Sequence, residues 1–173
     1  MLTSLVGSEM CIRDRSVIIK MIKKHYYSWT DIEKMCVSIV NQMYKDNWRP
    51  DYIVGITRGG NVPATIISNM IGIPCEALKV SLRDDTKQSE HNTIMEHDSK
   101  LGKKILVVDD INDTGSTFKW IWNDWQLNKD TNVKFATLTE NLASEFENVS
   151  YHVHEVNKAV SYTHLTLPTK QDV

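Results

Sequence analysis

Four consecutive apolar residues, Ile105-Leu106-Val107-Val108, run directly into Asp109 and Asp110, then through Ile111-Asn112-Asp113 into Thr114-Gly115-Ser116-Thr117. An unbroken apolar run of this length suits a central parallel strand covered on both faces. Two acids at its carboxyl end, followed by small residues that open a helical pattern, put charge and flexible backbone at the place where open α/β sheets bind ligands. This one segment therefore constrains both the architecture and the position of the site.

The flanking chain alternates in the way such a sheet requires. A helix is predicted to open at Ser28 or Thr30, where Thr30-Asp31-Ile32-Glu33 matches a capping box. Ile32, Met35, Cys36, Ile39, Val40, Met43 and Tyr44 follow at helical spacing as one apolar face, and Pro50 closes the segment. Cys36 lies on that face and reads as a core residue rather than a nucleophile. Strands are expected at Tyr52–Thr57, Cys75–Leu82, Lys104–Val108, Asn132–Leu138 and Ser150–Val156, with helices at Val62–Met70 and Ser116–Leu127. Residues 83–103 are polar, charged and poor in β-branched side chains, and are expected to form a long mobile loop. Strands separated by helices imply βαβ units, hence a single-domain α/β fold with a mainly parallel sheet flanked by helices.

Composition narrows the function classes. The 173 residues carry 20 Lys+Arg against 22 Asp+Glu and are 41% hydrophobic. That balance argues against disorder and offers no basic field for nucleic acid. No apolar run approaches the length of a membrane span, which is about 20 residues. Cys11, Cys36 and Cys75 are odd in number and form no C-x-x-C, so a reducing cytoplasm is expected. Residues 1–15 do not read as a signal peptide, since their charges follow the weak apolar stretch; residues 160–173 show no periodicity that continues the preceding strand, and both stretches resemble translated sequencing-adapter text. The expected organisation is a non-native or disordered segment 1–15, one domain over 16–159, and a second such segment over 160–173.

The segment around residue 110 carries the chemistry. Small residues let backbone amides approach a phosphate, and the following helix adds N–H donors and the positive end of its dipole. The hydroxyls of Thr114, Ser116 and Thr117 add donors. An anion cradle thus stands beside a carboxylate cluster, a combination that suits a sugar phosphate. A helix cap with a solvated neighbour would explain one carboxylate, but not three beside a Thr-Gly-Ser-Thr turn. No G-x-x-x-x-G-K-[ST] is present. Response-regulator receivers carry an acid pair at the first strand, whereas this pair lies at residue 109 with too little chain after it.

The thirteen residues Ile105–Thr117 closely resemble the phosphoribosyl-pyrophosphate (PRPP) signature of type I phosphoribosyltransferases. Upstream, Tyr52-Ile53-Val54-Gly55-Ile56-Thr57-Arg58-Gly59-Gly60-Asn61-Val62-Pro63 resembles the pyrophosphate loop of the same family, particularly its xanthine/guanine/hypoxanthine branch. The resemblance implies a Rossmann-like domain in which Asp109 and Asp110 hold the ribose hydroxyls and a magnesium shell. It further implies that Thr114, Gly115, Ser116 and Thr117 wrap the 5′-phosphate, that Arg58, Gly59 and Gly60 bind pyrophosphate, and that Asp113 is the catalytic acid or base near N7 of a purine. Three acids facing a polyanion need a cation, which again points to Mg²⁺.

Where purine-specific relatives place a lysine against the 6-oxygen, this chain has Asn141, an uncharged candidate for base binding. Relatives also carry a C-terminal hood with a stacking aromatic. Residues 156–173 offer only Tyr162, so an incomplete hood is expected.

The family implies a homo-oligomer (dimer or tetramer), PRPP and a purine base as partners, and no nucleic acid or membrane. The alternatives are an orotate- or pyrimidine-type transferase and a non-catalytic PRPP-sensing module on the same fold. Lys79 and Arg83 flank the expected loop and are candidates for further phosphate contacts. Phe118, Ile121, Trp122 and Trp125 read as a core stripe, with Trp120 off it. His91 and His97 read as solvated loop residues, and His152 and His154 as one half-buried strand face.

Overall fold

The structure, a computed structural model, describes residues 26–80 and 90–157, with only the backbone at Glu90 and His91. The expectations for 1–15 and 160–173, for Arg83 and for the hood aromatic Tyr162 lie outside the described residues. The described chain forms α1 (Trp29–Lys45), β1 (Tyr52–Ile56), α2 (Asn61–Ile71), β2 (Cys75–Leu78), α3 (Glu90–Lys100), β3 (Ile105–Asn112), α4 (Ser116–Asp124), β4 (Val133–Asn141) and β5 (Val149–Val156).

All five strands pair in parallel, in the order β2-β1-β3-β4-β5. β3 is the central strand, as its apolar run predicts, and its side chains alternate between two cores. Leu106 and Val108 pack with α1, α2, Ile53, Leu138 and Tyr151 on one face. Ile105 and Val107 pack with α4, Met95, Phe135 and Phe146 on the other. Ile105, Leu106, Val107 and Val108 are each 0% exposed, which is why the run tolerates no polar interruption.

Helix α1 begins two residues before the expected box. Ser28 caps it, its Oγ accepting from the Asp31 amide at 3.2 Å while Asp31 accepts from the Ser28 amide at 2.9 Å. The aspartate at the third helical position does the work assigned to Glu33. Of the seven residues read as the buried face, Ile32, Met35, Cys36, Ile39, Val40 and Met43 are buried. Tyr44 is 62% exposed, because it falls one step around the helix from Met43 at the rim of the stripe. Cys36 is fully buried, and burial, with Glu33 as the lesser cause, pushes its thiol up to about 12.

The loop expected over 83–103 is corrected by α3. Residues 83–89 lie outside the described residues, but Glu90–Lys100 is helical. Its inward stripe is Asn92, Met95 and Ser99, each at most 4% exposed. Two of those three are polar, so no apolar periodicity betrays the helix. Asn92 is buried because it has partners: Trp125 Nε1 donates to its Oδ1 at 2.8 Å, and its Nδ2 donates to Asp124 at 2.7 Å. Exposed ion pairs, Glu96 with Lys100 and Asp98 with Lys103, cover the outside.

Four boundaries also move, one of them β4, which runs from Val133 through Asn141 rather than Asn132 to Leu138. β2 ends at Leu78, β3 runs on through Asn112, and α4 stops at Asp124, where Gln126 adopts φ 53°. Trp125 and Leu127 remain in the core beyond the helix. Trp120 and Trp122 are half-buried against the same cluster.

Replacing Asn92 with alanine should strand the Trp125 indole N–H in the core and cost about 1–3 kcal/mol. Urea unfolding should show a lower midpoint at unchanged slope; an unchanged midpoint would remove Asn92 as the anchor of α3.

Candidate functional site

The strand order reverses direction between β1 and β3. The chain leaves β1 into α2 on one face of the sheet and leaves β3 into α4 on the other. The two exit loops therefore part over a crevice at the carboxyl ends of neighbouring strands. A cavity of about 470 Å³ occupies it, lined by Ile56–Gly59, Val80 and the whole stretch Asp109–Phe118. The structure thus brings the two sequence motifs together.

Close approach explains the glycines of the first loop. A Cβ on Gly59 would overlap the Asp110 carboxyl group, and one on Gly60 would overlap the Val108 carbonyl oxygen. Gly60 has an ordinary helical φ of −68°, so space and not conformation demands it. The Gly60 amide donates to the Asp109 carboxylate, and the Asp110 amide donates to Asp109 Oδ1 at 2.9 Å. Ile111 N donates to Asp110 Oδ1 at 3.1 Å. Both acids sit within β3 itself, not in a loop after it, and Asp110 is only 8% exposed. Burial first, and the Asp110 charge second, hold the Asp109 carboxyl well above the ordinary carboxylate range.

The second loop turns at Gly115, whose φ of 82° is a left-handed conformation that favours glycine. The N-cap Gly115 offers α4 no side-chain cap; the Ser116 amide reaches Thr114 Oγ1 at 3.4 Å, and the amides of the first turn stand at the mouth of the cavity. Thr114 and Ser116 are exposed, with their hydroxyl oxygens 2.8 Å apart, and Thr117 is half-buried. Hydroxyls, helix N-terminal amides and the helix dipole converge there, an arrangement suited to an oxyanion. Arg58 is exposed at the opposite lip.

Asp113 and Asn141 stand apart by 28 positions, yet Asn141 Nδ2 donates to Asp113 Oδ1 at 3.0 Å. Asn141 ends β4 and is 6% exposed, and its own Oδ1 accepts from the Ala143 amide at 3.1 Å. Its amide orientation is therefore determined, and one N–H remains to spare. Asp113 is exposed toward the crevice.

The remaining expectations fall as follows. Lys79 is exposed just past β2, next to Val80 of the cavity wall. His97 lies exposed on α3 rather than in a loop. His152 meets Glu155 at 2.9 Å, and the His154 ring lies 5.5 Å from Tyr27. Among the described residues no three His, Cys, Asp or Glu side chains gather as a metal group.

A larger cleft of about 800 Å³ lies at the amino ends of β1 and β2, walled by Tyr52, Ile94 and Met95 with Asp51, Glu76 and Asp98. Among the described residues its one lining lysine, Lys103, pairs with Asp98. Chemistry favours the smaller, more polar crevice.

Sequence reading passed over the turn after β4. Glu145 N donates to the Thr114 carbonyl at 3.1 Å, and Ser144 and Phe146 lie so close to Gly115 that a Cβ there would come within 2.6 Å of Phe146 N. The signal available was weak: an Asn as the last residue of β3, Asn112, and a Glu as the last but one of β4, Glu140.

Residues 19–165 match the family model described as the phosphoribosyl transferase domain. The chain is similar to xanthine phosphoribosyltransferase 1 of Saccharomyces cerevisiae, 31% identical over 57% of this chain and 58% of that protein. It is also similar to hypoxanthine-guanine phosphoribosyltransferase of Schizosaccharomyces pombe, 28% identical over 58% of this chain and 59% of that protein. The chain thus spans about three fifths of the length of these curated relatives. In fold it is similar to the purine phosphoribosyltransferase of Pyrococcus horikoshii, with a TM-score of 0.61 at 20% identity over 86% of this chain and 99% of that one.

The Asp109 carboxyl yields a stability prediction. An acid whose folded pKa is raised costs stability once pH rises above its unfolded value. Asp109→Asn should raise the Tm of the ligand-free protein by about 2–6 °C near neutral pH. The gain should vanish as pH falls toward the ordinary value of 3.8. Thermal melts across pH check this, and a lower Tm at neutral pH refutes the cause assigned.

Proposed function

Because the chain belongs to the phosphoribosyl transferase domain family, we propose that it transfers the 5-phosphoribosyl group of PRPP to a purine base of the xanthine/guanine/hypoxanthine type. A ring nitrogen of the base attacks C1′, the bond from C1′ to the pyrophosphate oxygen breaks, and the electron pair leaves with pyrophosphate. The observation that carries this reading is the convergence at the β1/β3 crevice of an uncapped helix N-terminus, two strand-end carboxylates and an Arg-Gly-Gly turn. The names of the curated relatives favour a purine.

The roles follow from position. Thr114, Gly115, Ser116 and Thr117 take the 5′-phosphate at the α4 N-terminus. Asp109 and Asp110 accept from the ribose hydroxyls. The Arg58 fork and the backbone at Gly59 and Gly60 take the leaving pyrophosphate. Asp113, oriented by Asn141, faces the imidazole side of the base and takes or stabilises its proton. The spare N–H of Asn141 donates to a base carbonyl. The protein does little covalent work, since rate comes from positioning reactants and stabilising departing charge.

The donor set fits Mg²⁺. Two adjacent carboxylates, with no third protein ligand gathered among the described residues, suit a hard cation that keeps waters and bridges phosphates. Asp109 and Asp110 would hold it, and when bound it neutralises charge between acids and pyrophosphate. We place the enzyme in the cytoplasm as a homo-oligomer, dimer or tetramer by analogy with the family.

A pyrophosphate-release assay with PRPP, Mg²⁺ and each of xanthine, guanine, hypoxanthine and orotate tests the proposal. Release with a purine is expected. Release with orotate alone would make it a pyrimidine enzyme, and PRPP binding without release for any base would make it a sensor. Asp113→Asn should lower kcat by about 100-fold or more, the scale of a lost general acid or base, while PRPP affinity stays near wild type. Unchanged kcat would remove Asp113 from the chemistry.

A further inference from the structure

One buried pair is unused by the mechanism. In the β3–β4 register Asn112, the last residue of β3, stands opposite Glu140; Asp113 follows just beyond β3, and Asn141 ends β4. Alternation along β4 sends Glu140 and Asn141 to opposite faces. The two strand ends are thus stitched twice, by Asn112 with Glu140 at 2.9 Å and by Asn141 with Asp113 at 3.0 Å. The first stitch is internal, Asn112 being 4% and Glu140 7% exposed. The second opens into the crevice.

Asn112 does more than pair with Glu140. Its Nδ2 also donates to Ser144 Oγ at 2.9 Å and lies 3.4 Å from the Phe146 carbonyl oxygen. Three acceptors therefore surround one amide nitrogen, and together they leave its orientation no alternative. The same turn donates from Glu145 N to the Thr114 carbonyl and crowds Gly115. Asn112 is thus the point at which the turn after β4 is fastened to the loop that opens α4. Glu140 is a costly partner for that task. Its other oxygen is buried without a hydrogen-bond partner among the described residues, and a buried carboxylate with a single amide donor is poorly compensated.

Resting on the phosphoribosyl-transfer reading, we propose that Asn112 and Glu140 are positioning residues. They act through other residues: they set Asp113 and the Thr114–Thr117 loop in productive register against Asn141 and the turn at 142–146.

The test reverses the polarity of the pair. Asn112→Asp sets two carboxylates face to face. Adding Glu140→Gln restores a donor and an acceptor in the opposite sense, and the Ser144 hydroxyl can rotate to donate. For N112D, kcat should fall about 100-fold, the scale of a displacement near 1 Å, with KM for PRPP within about threefold. The double variant N112D/E140Q should recover at least tenfold of that loss. Amide exchange, which needs no substrate, should quicken at 113–117 and 142–146 in N112D and return in the double variant.

A kcat for N112D within threefold of wild type overturns the assignment. So does a double variant no better than the single, or exchange equal in all three proteins. Should N112D fail to fold, Asn112→Ala supplies the comparison, with the same split between kcat and KM expected. A wild type that turns over no base overturns the functional reading alone, and the exchange comparison still decides whether the pair fastens the two segments.

Discussion

The structure depends on how closely the Arg-Gly-Gly turn lies against the carboxyl end of β3. There is no room for a side chain between Gly59 and the Asp110 carboxyl, or between Gly60 and the β3 backbone. This contact seats α2 against one side of β3 and brings two loops with complementary chemistry to one crevice. It also crowds two carboxylates where water is scarce, so that Asp109 resists ionisation. The strain of like charges and the close backbone approach are two consequences of the same packing. This crevice is built at the expense of stability, since a buried acid held above its ordinary range costs folding energy near neutral pH.

The loop that opens α4 is held from the other side. The turn after β4 packs over Gly115 and bonds to Thr114, while Phe146 anchors it among Phe118, Phe135 and Trp122, with ring centroids 5.0 to 5.8 Å apart. The cradle is therefore a strand end and a helix start clamped between a glycine turn and an aromatic cluster. Preorganisation of this kind suits a reaction whose barrier is lowered chiefly by placing charges and reactants.

How much of this was legible depended on whether buried positions were apolar. Ile105–Val108 announces a covered central strand, and the stripe from Ile32 to Met43 announces α1, because in both the hydrophobic pattern and the burial coincide. Helix α3 escaped because its inward residues are Asn92 and Ser99 around a lone Met95, and an asparagine can be buried only where a distant Trp125 supplies its partner. The cap of α1 shifted for a smaller reason. Ser28 with Asp31 closes the same kind of reciprocal box as Thr30 with Glu33 would, two residues earlier, and local sequence does not separate them.

Sequence alone determined the parallel α/β architecture, the central place of β3, and the chemical identity of the cradle and its acids, since these follow from consecutive residues and short-range spacing. Tertiary structure alone decided that Asn141 holds Asp113, that Asn112 meets Glu140, and that the turn at 142–146 locks the cradle. Each of those contacts joins residues 28 or more positions apart along the chain. Which of them meet is set by strand order and register, and register comes from packing the whole sheet between two helical layers, not from any one segment.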